Sequence, residues 1–342
     1  MEMIAGVDDD GRRLDRLLRK ALPDLPLSAI HRLLRRGRVL AGGKPGGAAD
    51  RINAGTVIRI LEERAAGTRP SRPASPDRPP GEEARPPDIL REAPGLLIVN
   101  KPAGIGVHGP SAGEETLETL VRSFLADRLP PSLSFKPGPL HRLDRNTSGV
   151  MVFSSSLEGA RRFSALIREG RITKRYLALV EGAAGGPAAV GADSPLNVSA
   201  NEETWEDYLI RDKSLGKSFT AEAGAGAKRA LARVRPLAGA GGFSLIMLEI
   251  STGRTHQIRA QAAARGHPLA GDRKYGGKPR IGGFLLHAHT LEFPWPGPAG
   301  SAGEERILVS APLPEGFRKT ISELFAITFK ALDFPSNDEY VL

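Results

Sequence analysis

Residues 141–150, HRLDRNTSGV, set a single carboxylate, Asp144, between Arg142 and Arg145. Asn146, Thr147, Ser148 and Gly149 follow, and then the apolar run VMVF (150–153), so the acid stands on a loop that enters a buried strand. An acid beside guanidinium groups is most simply a local ion pair, which contributes little at a surface. The same pattern can hold a carboxylate ionised and aim it at the sugar of a polyanion. Thr147 and Ser148 can bond backbone or phosphate, and Gly149 permits close backbone approach or unusual dihedrals.

Two other stretches weigh against the plain ion pair. TKRYLALVEG (173–182) is a β-run that brings in Tyr176 behind two cations. STGRTHQIRAQ (251–261) follows a strand and sets Arg254 and Arg259 on a turn leading into a helix. A carboxylate, an aromatic ring and cations from three separate segments are what a site for an unstacked nucleobase requires. Other chemistries fail on spacing. LGKS at 215–218 would put the first glycine of a phosphate loop on Arg211, and no GxGxxG follows a strand. His287 and His289 share a strand face without a third ligand nearby, which favours a structural role over a metal. With no cysteine in the chain, disulfides, thiolate nucleophiles, CxxC zinc sites and iron–sulfur clusters are excluded.

The elements that must carry these residues divide the 342-residue chain unevenly. The net charge of +9 is concentrated in residues 11–61, where twelve Lys and Arg face three Asp. A basic module beside a near-neutral body is the electrostatic footprint of nucleic-acid binding. In that module Leu14, Leu17 and Leu18 share one helical face, Pro23 and Pro26 end the helix, and Ser28 is expected to cap a second helix burying Ile30, Leu33 and Leu34. Gly37 is placed to stop that helix. RVLAGGKPGG reads as a strand and turn, and TVIRI (56–60) as the returning strand. Residues 64–87, dense in Pro, Arg and Ser, read as a linker. Beyond them LLIV (96–99), VMVF, RYLALV (175–180) and FSLIMLEI (243–250) read as strands and 157–169 and 255–265 as helices, giving an α+β domain with a large sheet. Residues 182–195 read as a Gly/Ala loop, 211–228 as a polar excursion between strands, and 320–342 as a terminal helix and tail. The N-terminus has no signal-peptide pattern and no apolar run approaches the ~20 residues of a membrane span, so a soluble, cytoplasmic monomer is expected.

The quoted motifs carry two resemblances. RLDRLL (13–18), Ser28 and GRVLAGGK (37–44) resemble the S4 RNA-binding domain, although PGGAAD after Lys44 departs from its regular strand. In order, NKPAGIGVHGPSAG (100–113), PLHRLDRNTSGVMVF (139–153), TKRYLALVEG and STGRTHQIRAQAAARGHPLAGDRKYGG (251–277) resemble the motifs of RluA/RluC-type pseudouridine synthases. FLLHAHTLEFPWP (284–296) extends the match. The resemblance implies a pseudouridine synthase fold, a large mixed and mostly antiparallel sheet with a central cleft, behind a small ααβ S4 domain. The expected division is 1–63 S4 domain, 64–87 linker, 88–325 catalytic domain and 326–342 tail.

The implied activity is isomerisation of uridine to pseudouridine in structured RNA, most simply large-subunit (23S) ribosomal RNA, without cofactor or metal. Asp144 then matches the catalytic aspartate, Tyr176 the ring that stacks on the base and is proposed to take the C5 proton, and Arg259 the partner of the aspartate. Arg142 matches the arginine that helps displace the flipped nucleotide. Arg145, Thr147 and Arg254 are expected to contact RNA at the cleft. In the module, Arg12, Arg13, Arg16, Arg32, Arg35, Arg36, Arg38 and Lys44 are expected to grip phosphates. Alternatives are a transfer-RNA isomerase of the same family, a non-catalytic ribosome-assembly factor that keeps the fold, and an N-glycosidase using Asp144.

Overall fold

The computed structural model describes residues 1–61, 86–109, 115–184, 202–224, 226–279, 282–297 and 303–325. The N-terminal part runs β1 (Glu2–Ile4), β2 (Arg12–Arg13), α1 (Leu14–Ala21), α2 (Leu27–Arg35), β3 (Val39–Ala41), β4 (Lys44–Pro45), β5 (Arg51–Ile52) and β6 (Val57–Ile60). Leu14, Leu17 and Leu18 on α1 and Ile30 and Leu34 on α2 bury against Val39, Ile52 and Ile58, with Leu33 half-buried at the margin. Four strands pair in the order β1-β6-β3-β4, and β2 pairs with β5. Gly42 and Gly43, both at positive φ, make the tight β3–β4 turn. Ser28 does not cap α2. The helix begins two residues earlier than that cap would set it, at Leu27, with Pro26 in the capping position, because a proline has no N–H to leave unbonded and its fixed φ already suits a helix entry.

The linker expected at 64–87 falls almost wholly outside the described residues, as do most of the 182–195 loop and the tail 326–342. The body follows as β7 (Asp88–Ala93), β8 (Leu96–Lys101), α3 (Leu117–Leu125), β9 (Gly138–Pro139), β10 (Ser148–Ser154), α4 (Leu157–Glu169) and β11 (Thr173–Glu181). It continues with β12 (Glu203–Asp212), β13 (Lys217–Ala221), β14 (Lys228–Ala240), β15 (Phe243–Ile250), α5 (Gln257–Ala264), β16 (Leu286–Pro296), β17 (Glu304–Ser310) and α6 (Glu315–Phe325). The eleven strands form one sheet in the order β13-β12-β14-β15-β11-β16-β10-β8-β7, with β17 on β16 and β9 on β10.

Every pairing in that sheet is antiparallel except β10 with β16, which run parallel for Ser148↔His287 and Gly149↔Ala288. The sheet is therefore large, mixed and mostly antiparallel, as the family resemblance implied. β8, β10 and β11 are interior strands of the sheet and read as largely apolar runs because both faces are covered. One core, with Leu97, Val99, Met151, Tyr176 and Ile246, lies under α3 and α5; a second, with Ile98, Val152, Phe163, Phe293 and Trp295, lies under α4. At the parallel junction a Cβ on Gly149 would stand 2.1 Å from the Ala288 carbonyl oxygen, so only glycine lets the two strands meet there. The 211–228 region is more ordered than a polar excursion: it holds β13, hairpin-paired to β12 through Asp212↔Lys217.

Candidate active site

Asp144 stands on the loop between β9 and β10, in a turn closed by the Thr147 amide donating to the Asp144 carbonyl at 3.1 Å. Lys101, at the end of the neighbouring strand β8, braces that loop from beneath. Its fully buried ammonium donates to the carbonyls of Pro102 (2.9 Å), Arg145 (2.8 Å) and Thr147 (2.7 Å). Burial pulls its pKa down to about 8, against the opposing pull of Asp144. Three aligned carbonyls favour the charged form and make Lys101 a clamp on the loop.

Arg259 approaches from α5. That helix starts at Gln257 because His256, its N-cap, takes a left-handed φ of 53° that no helix can extend through. The Arg259 guanidinium is 6% exposed and divided between two acids. Nε and one Nη donate to both oxygens of Asp272, at 2.7 and 2.9 Å, while the other Nη donates to Asp144 Oδ2 at 3.1 Å. Asp272 is 1% exposed. The rings of Phe284 and Tyr275 flank the cation, with centroids 4.4 and 4.9 Å from its carbon. Hydrogen bonds and charge from the two acids raise the Arg259 pKa despite burial.

Tyr176 rises from β11 immediately after a register shift between Arg175 and Tyr176 in the pairing with β16. It is 7% exposed. Burial first, and then the charge of Asp144, push its phenol above the ordinary value, so the ring is neutral at physiological pH. The Tyr275 hydroxyl accepts the Ser218 amide at 2.7 Å and lies 2.9 Å from His256 Nδ1. The other ring nitrogen, Nε2, lies 3.8 Å from Asp144 Oδ2. Burial lowers the His256 pKa, against the pull of Asp144.

These groups face two adjoining hollows that share Arg142, Leu143, Asp144, His256 and Arg259. The inner one, about 80 Å³, has Tyr176, Ile250 and Leu286 on its walls with Thr147 and Arg254. The outer one, about 300 Å³, adds Arg145, His108 and Lys274. All seven residues expected at the cleft thus converge there. Thr147 is 2% exposed. Arg254 is held by the Arg229 carbonyl at 2.9 Å. The arginines of the N-terminal part line neither hollow. Arg16, Arg32, Arg35, Arg36 and Lys44 are exposed, whereas Arg38 is half-buried, Arg12 donates to the Ser134 hydroxyl at 2.8 Å, and Arg13 is bidentate on Asp15. Lys101, His256, Asp272 and Tyr275 were not singled out in the sequence. A lysine closing an apolar strand (LLIVNK) and an acid closing an apolar turn (PLAGD) were the signals available.

His287 and His289 are buried on β16 and both reach the Ala311 carbonyl, at 3.1 and 3.2 Å. His287 also accepts from the Ser148 hydroxyl at 2.8 Å. Among the described residues no cluster of three His, Cys, Asp or Glu side chains could hold a metal. No helix there is long and apolar enough to cross a membrane.

A wide sheet split by one parallel pair, with an acid, an arginine and a buried tyrosine meeting over the split, defines a class of RNA-modifying isomerases. Within that class the chain belongs to the RNA pseudouridylate synthase family, whose model matches residues 95–264. It is 30% identical to ribosomal large subunit pseudouridine synthase C of Vibrio vulnificus (strain CMCP6) over 94% of this chain and 96% of that protein. The Escherichia coli (strain K12) protein of the same name is 30% identical over 93% of this chain and 94% of its own length. Ribosomal large subunit pseudouridine synthase D of Neisseria meningitidis serogroup A is 31% identical over 92% of this chain and 79% of that protein. The solved human RNA pseudouridylate synthase domain containing 4 shares the fold, with a TM-score of 0.51 and 22% identity over 69% of this chain and 92% of that one.

Proposed function

We propose that this RNA pseudouridine synthase acts on ribosomal RNA of the large subunit, as the names of its relatives indicate for them, and that Asp144, Tyr176 and Arg259 carry the reaction. The supporting observation is the convergence of these three side chains, from separate segments, on one inner hollow. The N1–C1′ bond of uridine breaks, the base turns, C5 bonds to C1′, the C5 proton leaves, and N1 takes up a proton, so that the product is an isomer of the substrate. An ionised carboxylate at the ribose serves this by adding to C1′ or by taking the 2′ proton. Asp144 accepts one N–H from Arg259 and keeps its remaining lone pairs for substrate. Arg259 orients it without fully neutralising it, because its other two nitrogens donate to Asp272.

Tyr176 forms the floor on which the base stacks, an interaction worth ~1–3 kcal/mol that offsets part of the few kcal/mol of flipping. A phenol held neutral is a poor base unless it passes its own proton on, and Asp144 is the charged group beside it. Arg142, exposed at the rim, fits the role of taking the flipped nucleotide's place in the stack. Residues 1–61 serve as an S4-like phosphate grip, and the active unit is a monomer, because one chain supplies the whole site.

Unmodified ribosomal RNA, incubated with the protein and mapped by carbodiimide-dependent reverse-transcription stops, tests this. Discrete stops should vanish with Asp144→Asn while RNA binding persists. Stops that survive the substitution would assign the chemistry elsewhere, and free uracil as product would make the protein a glycosidase.

A further inference from the structure

The run Asp8–Asp9–Asp10 lies where the N-terminal part meets the body, on the short 3-10 turn Val7–Asp9. Asp9 is 0% exposed. Its carboxylate accepts the Gly6 amide at 2.9 Å and four donors from the segment after α3. Those are the amides of Leu133 (2.8 Å) and Ser134 (3.0 Å) and the hydroxyls of Ser132 (2.9 Å) and Ser134 (2.5 Å). Asp8 Oδ1 accepts the amide of Leu157, the first residue of α4, at 2.7 Å. Asp10 turns the other way and accepts the Ala54 amide of its own module at 3.0 Å. Arg12 adds its bond to Ser134. Shape agrees with charge: a Cβ on Gly6 would lie 2.0 Å from the Pro131 carbonyl oxygen, and Leu133 packs on the module's own core.

A carboxylate this deeply desolvated is tolerated only where donors replace its water, and here five do. Residues 62–85 separate the two parts in sequence, a length that would permit many placements, yet this contact selects one. We propose that the Asp8–Asp9 dock makes the basic module a fixed arm, so that RNA is selected by the set spacing between the arm's phosphate-binding face and the uridine entering the Asp144 cleft. This rests on the reading of module and cleft given above. A fixed arm raises the effective concentration only of RNAs that span both points correctly, whereas a loose tether raises that of all alike.

Two full-length variants test it, Asp9→Asn and the body-side pair Ser132→Ala with Ser134→Ala, which leaves the module's sequence untouched. Small-angle scattering reads the dock. Turnover of a long ribosomal RNA fragment against a short stem–loop filling only the cleft reads selection. Both variants should scatter as a more extended particle. Their kcat/KM on the long RNA should fall about tenfold while the stem–loop stays within about twofold. Scattering unchanged in both variants overturns the dock; looser scattering with an unchanged ratio between the two RNAs overturns selection by spacing. Wild-type protein inactive on both RNAs would instead overturn the reading of the cleft, and scattering would still decide the dock.

Discussion

Asp9 and Asp144 are both carboxylates held by hydrogen bonds from distant segments, and their surroundings differ in kind. Five donors saturate Asp9 and no water reaches it. Asp144 is 20% exposed, receives one N–H from Arg259, and faces a hollow. A saturated acid is fixed in one ionisation state and one place, and it can only hold parts together. An undersaturated acid keeps lone pairs and charge in reserve for a substrate. Asp272 belongs with Asp9: it is buried and spends both oxygens on Arg259. The molecule thus uses full satisfaction to fix geometry around one carboxylate left incompletely satisfied.

Removing the saturated acid nearest the cleft should break this contrast most. Asp272→Ala leaves the Arg259 cation buried with Asp144 as its one carboxylate partner. Breaking a buried pair typically costs about 3–5 kcal/mol. Arg259 should then swing fully onto Asp144 and cover the lone pairs that chemistry needs. The expected result is a fall in single-turnover rate of at least about a hundredfold, with a lower urea midpoint and little change in RNA affinity. A variant that loses stability but keeps its rate would show that Arg259 needs no second acid to stay in place.

Lys101→Met sharpens the same point by loosening the loop without touching Asp144's own contacts. It strands three carbonyls at about 1–3 kcal/mol for each unsatisfied buried group, less whatever water enters. Denaturation should show about 2–4 kcal/mol of destabilisation, and turnover should fall about tenfold as the 144–147 turn loses its brace. Lys101→Arg, too large for the clamp, should not rescue either property.

A smaller effect separates buried histidines from buried acids. Burial drives the pKa of His141 and His287 down to about 3 and that of His289 to about 4. All three lie below the unfolded value of 6.5, so the unfolded chain binds the extra protons. Their stabilising contribution is complete above that value and is lost as pH falls towards 4 and 3. The melting temperature should drop by about 5 °C or more between pH 7 and pH 5. His287→Asn, which has no ring to protonate, should flatten the acid limb.

Much of the cleft could be read from one sequence because chemistry limits residue type. Asp144, Tyr176 and Arg259 are each the kind of side chain a flipped base requires, and the apolar runs of β8, β10, β11 and β15 marked interior strands of the sheet. β12 and β14 went unread. β14 alternates buried and open residues in RALARVR without the bulk of a core strand, so its period was weak and its neighbour β13 looked polar. Asp272 and Lys101 were hidden for a different reason. Their role depends on partners such as Arg259, thirteen residues away, and Arg145, forty-four away, which spacing cannot reveal. Asp9 is masked in the sequence by an acidic run that resembles a solvated surface.

The module's arginines carry the same distinction into RNA binding, and there the expected effect is smallest. Arg13 is committed to Asp15 through two hydrogen bonds. Arg32 and Arg35 lie on the exposed side of α2, opposite Ile30 and Leu34. Each phosphate contact contributes roughly 0.7–0.9 to the slope of log affinity against log salt. Replacing Arg32 and Arg35 together with Ala should therefore lower the magnitude of that slope by about 1.5, measured by filter binding across a salt series. Arg13→Ala should leave it unchanged, and with it the module's urea midpoint, because an exposed ion pair contributes little to stability. Equal slope changes in the two variants would mean that the Arg13–Asp15 pair opens on RNA. An acid that releases its arginine to a phosphate would then belong with Asp144 rather than Asp9.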